Sequence, residues 1–336
     1  MGIRAAVAAG PRRAAVGPRA AGRVGSMTDL PNAAPAGGAG RPATVADCVA
    51  ALEEAYPPGF AESWDAVGLS VGEPGATVGR VHFAVDPTVE VAAEAAALGA
   101  GLLVTHHPLF LRGVHGVATT TAGGRVVTTL IRAGAALFTA HTNADVACRG
   151  VNDALAAALG LLDVRPLTEG RPLTGGTANP GLGRIGELPA VEPLSAFCAR
   201  VADALPATAA GVRATGDPDR PVRRVAVCGG SGGELAAAAA AAGADVFLTA
   251  DGRHHHVLDA VAALPVTIVD VAHWASEWPW LTHAAERLTT ALAARGRTVV
   301  TSVSTLVTDP WRLHLPTARP DGTASPAAGV PATEAQ

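Results

Sequence analysis

Four short polar runs carry the residues that could do chemistry: Thr105–Pro108 (THHP), His141–Asp145 (HTNAD), Asp251–His256 (DGRHHH) and Ala272–Glu277 (AHWASE). They hold seven of the 11 histidines, a concentration that scattered histidines would not give. His106 and His107 are adjacent at the end of an apolar run. Neighbouring side chains on an extended chain point apart, so one ion would strain to take both, while two neighbouring ions can take one each. His273 and Glu277 are four residues apart at a helix start and share one face. Asp145 occupies the matching place at another strand end. The candidate metal ligands are therefore His106, His107, Asp145, His273 and Glu277. Imidazole with carboxylate suits zinc, iron, manganese or nickel better than calcium or magnesium. Two such ions, about 3.5–4 Å apart, can share a water and make hydroxide at neutral pH. Glu277 is the carboxylate placed to bridge them, and the hydroxide would attack an electrophilic carbon or phosphorus. His141, His255 and Asp65 are the candidates for proton transfer beside the ions. The triplet His254–His256 could line a pocket, supply acid–base chemistry or begin a solvated helix.

The elements that must position these runs alternate with a regular rhythm. Strands are predicted at Val81–Asp86, Leu102–Thr105 and Ala136–Ala140, with helices at Thr88–Leu98, Gly124–Ala133 and Gly150–Leu159. After a Gly- and Pro-rich middle the rhythm returns. Strands are predicted at Arg224–Cys228, Asp245–Thr249, Val266–Val271 and Thr298–Val303, with helices at Glu234–Ala242, Val257–Leu264 and Trp278–Ala294. LGAGLLVTHHPLF and AGADVFLTADGRHH match in form, as do AALFTAHTNAD and VTIVDVAHWASE, which reads as a weak internal duplication. Alternating strands and helices predict an α/β fold of two similar βαβ-type halves, with mostly parallel or mixed sheets and the metal site between them. Ligands in such sheets gather beyond the carboxyl ends of the strands, where the four polar runs fall. The expected division is an N-terminal extension (1–44), a first half (45–165), a connecting segment (166–222), a second half (223–315) and a tail (316–336).

Composition removes several classes of function. The chain has 336 residues, 49% hydrophobic and 16% charged, which is too apolar for a disordered protein. Its net charge is −4 and all 25 basic residues are arginine. A basic nucleic-acid surface is thus disfavoured, and a lysine Schiff base, a pyridoxal-phosphate site and a Walker A loop are excluded. The four cysteines, Cys48, Cys148, Cys198 and Cys228, form no C-x-x-C pair, which fits a reducing cytoplasm. No apolar run is long enough to span a membrane. Residues 1–40 are rich in Ala, Gly, Pro and Arg and read as a flexible extension, with Met27 as an alternative start, rather than as a transit peptide. The tail after Leu315 has no periodicity and reads as disordered.

Trp64–Gly72 (WDAVGLSVG), THHPLF, HTNAD with Gly150–Asp153 (GVND), Thr249–His255 (TADGRHH) and AHWASE occur in that order. Together they resemble the NIF-three-like dinuclear-metal protein family, whose members are often named GTP cyclohydrolase type-two homologues. The resemblance covers nearly all of Val45–Val307. It implies an α/β fold of two similar halves, a two-metal site between them and a ring-like homohexamer. It implies the same ligand set, His106, His107, Asp145, His273 and Glu277. Two positions depart from the pattern: Ala66 follows Asp65 where Asn is usual, and His256 stands in place of a common Asp. The linker at about 164–222 is too short for the extra domain of longer members. A nucleotide substrate follows from the family name alone; Arg253, Arg112 or the amides of Gly229–Gly233 could hold its phosphates.

Two other readings remain open at this point. Gly229–Gly233 (GGSGG) follows a strand and precedes a helix, fitting the G-x-S-x-G elbow of a serine hydrolase with Ser231 as nucleophile. It leaves THHP and HTNAD unexplained. The other is a metal-binding assembly or regulatory protein without catalysis. Trp274, Trp278 and Trp280 flank His273 and are expected to wall the site or an oligomer contact.

Overall fold

Arg80–Ala84, Leu102–Thr105 and Ala136–Thr139 are buried over almost their whole length and pair in parallel, as runs with no solvated face must. Val300–Val303 adds in parallel at one edge and Gly68–Val71 antiparallel at the other, giving a five-stranded sheet. The second sheet has six strands, in the order Leu162–Pro166, Arg184–Pro193, Pro221–Val227, Val246–Ala250, Thr267–Val271 and Arg213–Ala214. Its three apolar central strands from Pro221 to Val271 are parallel, their neighbours Arg184–Pro193 and Arg213–Ala214 run antiparallel to them, and Leu162–Pro166 is antiparallel to Arg184–Pro193. The structure, a computed structural model, describes residues 41–170 and 180–315. The sequence readings for residues 1–40 and 316–336 lie outside the described residues.

The layering follows from which faces are apolar. Helices Val89–Ala97 and Ala122–Ala133 bury Val91, Ala95, Val126 and Leu130 against Leu103 and Leu137 of the first sheet. Helices Ala236–Ala241 and His254–Ala263 lie over Phe247 and Ile268 of the second. Between the sheets one core joins Leu102 and Val104 to Val225 and Leu248, with Trp280 and Leu288 of helix Trp280–Ala294 among them. The fold is thus α/β with two sheets sharing a helical middle layer, as expected.

Four boundaries differ from the sequence reading. The fold begins before Val45: Arg41–Thr44 is a strand paired with Arg297–Thr298 and Thr77–Val78. Thr44 also caps helix Val45–Ala55 in a reciprocal capping box with Asp47, satisfying two amides. The segment 166–222 is more than a connection. It contributes the 10-residue strand Arg184–Pro193, hydrogen-bonded to Pro221–Val227, and the 11-residue helix Leu194–Ala204. The last strand, assigned to the second half, returns to pair with Arg80–Ala84 of the first sheet. The helix expected from Trp278 is preceded by a separate short helix, His273–Glu277, and starts at Trp280.

Candidate metal centre

His106 and His107 follow directly on a buried strand, and their amides continue its ladder to Ala84 O (3.2 Å) and Val85 O (2.9 Å). This fixes both backbones, and hydrogen bonds then fix the rings. His106 Nδ1–H donates to Ala140 O at 2.9 Å, and His107 Nδ1–H to Asp86 Oδ1 at 2.6 Å. His141 Nδ1–H donates to Asp65 Oδ1 at 2.8 Å, and His273 Nδ1–H to Asp251 Oδ2 at 2.7 Å. A carbonyl cannot donate, so His106 carries its proton on Nδ1; the carboxylates impose the same tautomer on the other three. Four bare Nε2 atoms result, on rings whose neighbouring centroids are 5.0–5.5 Å apart.

Three of these nitrogens converge on one buried carboxylate. Glu277 Oε1 is 3.0 Å from His273 Nε2 and 3.4 Å from His106 Nε2, and Oε2 is 3.1 Å from His107 Nε2. Asp145 Oδ1 lies 3.7 Å from His106 Nε2. The close approach at Glu277 Oε2 is a distance only: that oxygen, like His106 Nε2 and Asp145 Oδ1, is buried without a properly directed hydrogen bond. His107 Nε2 and His273 Nε2 face each other at 3.2 Å. Bare nitrogens and carboxylate oxygens at such distances repel unless protons or a metal cation lie among them. Two overlapping groups have all their ligand atoms within 4.8 Å of one another: His106, His107 and His141, and His107, His273 and Glu277. Either group could bind a metal ion, and they share His107.

The same field shifts the protonation of the cluster. Burial opposes charge on His106, but Glu277 and then Asp145 raise its pKa. His107 is raised well above the ordinary histidine value against the same opposition, chiefly by Glu277 and the bond to Asp86. His273 is pushed up to about 9, against burial, with Glu277 as the main cause. Glu277 moves the other way: burial favours its neutral form, yet His107, His106 and His273 hold it well below the carboxylate range. Asp65 resists burial in the same manner through the bonds from His141 and Thr142, and is lowered.

The neighbouring motifs hold the ligand loops in register. In HTNAD, the Thr142 amide donates to Asp65 Oδ2 (3.0 Å), and Asn143 Nδ2 to Tyr56 O (2.7 Å). Trp64 stands edge-on to His141, with centroids 6.1 Å apart. In GVND, Asn152 joins the Asp145 carbonyl (3.0 Å) to the Gly229 amide (2.8 Å). Asp153 pairs with the buried Arg184 through two contacts of 2.7 Å, tying the first half to the second sheet. Gly230 has φ +65°, and a Cβ there would stand 2.4 Å from Glu277 Oε1. The GGSGG turn is therefore glycine-rich because backbone passes against the carboxylate. The amides of Gly229, Gly230 and Gly232 bond Asn152, Ser276 and Thr249, so they are not open for phosphate.

The structure brings together all five residues expected as ligands, with His141 and Asp65 beside them. It does not bring in His255, which is exposed near the start of helix His254–Ala263, its ring against His254. Its expected proton-transfer role finds no support in that position. Among the described residues no histidine or aspartate hydrogen-bonds Ser231, which is exposed. Trp280 is buried against Tyr56 and His106, so it walls the cluster as expected, while Trp278 donates to Ser304 O at 3.0 Å. Sequence reasoning missed Asp86 and Asp251. Both follow strands at their carboxyl ends, the signal that found the histidines.

Comparison with known proteins bears on the family and the fold. The model of the family described as Duf34/NIF3 (NGG1p interacting factor 3) matches residues 43–310. A Streptomyces coelicolor protein named "GTP cyclohydrolase 1 type 2 homolog" is 50% identical over 82% of this chain and 95% of its own. A Mycobacterium tuberculosis protein of the same name is 38% identical over 82% of this chain and 98% of its own. Among solved structures, a Bacillus cereus protein related to NIF3 has a TM-score of 0.74 at 26% identity, covering 82% of this chain and all of that one. The Staphylococcus aureus protein SA1388 has the same TM-score at 28% identity, over 81% of this chain and all of its own. No described helix is long and apolar enough to cross a membrane. By sequence and by fold, the chain belongs to the DUF34/NIF3 family.

Proposed function

We propose that the chain is a metal-dependent hydrolase holding two divalent transition-metal ions among His106, His107, Asp145, His273 and Glu277. The observation that carries this reading is the uniform tautomer: four histidines give Nδ1–H to a protein acceptor and turn a bare Nε2 inward. Held in this way, an imidazole is oriented and made more basic for a metal. Three buried atoms without hydrogen bonds, His106 Nε2, Asp145 Oδ1 and Glu277 Oε2, fit the same need. Left unsatisfied, each would cost about 1–3 kcal/mol. The two overlapping ligand groups, which share His107, support two ions; Glu277 belongs to one group, and its Oε1 also lies 3.4 Å from His106 Nε2 of the other. The donor set suits zinc, iron, manganese or nickel. Ions bound there would polarise a substrate and supply a nucleophile from water at neutral pH.

The chain's own residues would do the rest. His106 and Glu277 form a closed floor, while His107 and His273 form a partly exposed rim where a small molecule can approach. That open side favours a catalytic centre over one that only holds structure together. Asp65 fixes His141 with Nε2 at the edge of the cluster, where it would hold a metal or move a proton. His141→Ala separates the roles: loss of metal marks a ligand, and loss of turnover with metal retained marks a proton-transfer group. Cysteines that are far apart in sequence and form no C-x-x-C pair support a cytoplasmic place of work. The homohexamer belongs to the same proposal and is checked by mass in solution.

The experiment is a hydrolysis screen of nucleotides and phosphoesters, starting from GTP, which the relatives' names carry. Turnover is expected to vanish on chelation, return with the metal, and be lost in His107→Ala but kept in Ser231→Ala. Turnover by metal-free protein, or dependence on Ser231, would contradict the reading.

A further inference from the structure

A cavity opens on the rim of the cluster, bounded by His107 and His273 on one side and by Thr308–Trp311 on the other. Four aspartates line it, and most of their oxygens are already engaged. Asp86 accepts from His107 and Thr308; Asp270 accepts from Gly252 and Arg213. Arg213, the one basic side chain of the lining other than the histidines, is thereby neutralised. Two oxygens remain. Asp251 uses Oδ2 for His273 and leaves Oδ1 without a protein donor among the described residues. Asp309 is only 3% exposed; it accepts from the Trp311 amide, and its Oδ2 has no partner. Burial raises its pKa; the Trp311 amide and Arg312 oppose the rise, and Asp86 and Asp251 add to it. A buried carboxylate oxygen without a hydrogen-bond partner, among other carboxylates, is stabilised by a positively charged ligand.

The remaining walls select the kind of cation. Trp274 and Trp311 contribute indoles, and Trp311 is 68% exposed beside Pro310. Calcium or magnesium would need about six oxygens, and two free carboxylate oxygens do not supply them. An organic cation needs fewer: its N–H groups bond carboxylates while its face or methylenes lie on an indole.

We propose that this cavity binds the cationic end of an organic ligand, an alkylammonium or alkylguanidinium. Asp309 and Asp251 are the acceptors and Trp311 the stacking wall, so that the rest of the ligand extends toward His107 and His273. Assigning this cation to the substrate rests on the metal-hydrolase reading; the binding site itself does not. It replaces an anionic anchor with a cationic one, since no unpaired Arg lines this cavity.

The test is calorimetric titration of the full chain with n-butylguanidinium and n-butylammonium, against n-butyl phosphate, with metal content measured on every sample. The cations are expected to bind metal-loaded protein, and butyl phosphate to bind more weakly in this cavity. Asp309→Asn, which is isosteric, and Trp311→Ala, which alters an exposed side chain, should each weaken cation binding about tenfold. Failure of both cations to bind, binding unchanged in both variants, or tighter binding of butyl phosphate that depends on Asp309 and Trp311 would overturn the inference. If metal is present and the cations fail, only this inference falls. If no metal binds but the cations do, with the expected variant effects, the hydrolase reading falls and the cavity assignment stands.

Discussion

The two halves present equivalent strand ends, THHP and TADGRHHH, and use them in opposite ways. In the first half the histidines follow the strand at once, their amides still on the ladder, and both rings enter the cluster. In the second, Asp251 adopts φ +54°, which turns the chain aside, and His254–His256 begin a helix with exposed side chains. What that loop gives the centre is Asp251, which orients His273 from behind. Between these two strand ends, the histidines that enter the cluster are the ones whose backbone is still held by the neighbouring strand. Three residues and a left-handed turn later, the same residue type is surface.

Glu277→Gln should have the largest effect, since it removes the charge that three imidazoles face. Metal affinity should fall by more than about 100-fold, beyond what loss of an outer partner costs, as read by competition with a chelator. Retained affinity would mean that Glu277 is not a ligand. Asp86→Asn and Asp251→Asn test the outer partners of the two halves. Each should cost about 10–100-fold in metal affinity. Asp86 should cost more, because it is 27% exposed against 56% for Asp251 and its bond is less screened.

Acidity separates the two occupants of the cluster. His273 has its pKa raised from 6.5 to about 9. That proton stabilises the metal-free fold fully below about pH 6.5, and the contribution is lost as pH rises through about 9. A metal must displace it, so affinity should rise up to about tenfold per pH unit across this window for each proton released. Calorimetry in buffers of different ionisation enthalpy counts the protons; none released at pH 7 would contradict the raised pKa of His273.

Smaller effects sharpen the contrast within one turn. Gly230→Ala should lower stability by about 1–3 kcal/mol, from the strained φ and the clash with Glu277, whereas Gly233→Ala should stay within about 0.5 kcal/mol, since nothing lies within 4 Å. Thermal unfolding of the pair reads the difference. His254→Ala, His255→Ala and His256→Ala should each leave metal content unchanged and stability within about 0.5 kcal/mol. A loss of metal in any of them would erase the distinction between the two strand ends.

The legible parts of the chain were those whose signals are local. Leu102–Thr105 and Val246–Ala250 are short apolar runs closed by Thr or Ala and a polar loop, and the i,i+4 spacing of His273 and Glu277 needs only one helical turn. Arg184–Pro193 (RIGELPAVEP) was not legible as a strand, because its two prolines and mixed burial hide the period; it lies between Leu162–Pro166 and Pro221–Val227, where pairing and not propensity holds it. The return of Val300–Val303 to the first sheet depends on a partner more than 200 residues away, which no local pattern encodes. Asp86 and Asp251 carry no distinctive signal in the sequence, because single acids at strand ends are common. Their meaning comes from the imidazole each one holds.

The most direct measurement is elemental analysis of the purified chain beside His107→Ala and Glu277→Ala. The expected result is about two transition-metal ions per chain, falling in both variants, as a centre built from both halves requires. A chain that carries no metal, and takes up none on incubation with zinc, iron, manganese or nickel, would contradict it.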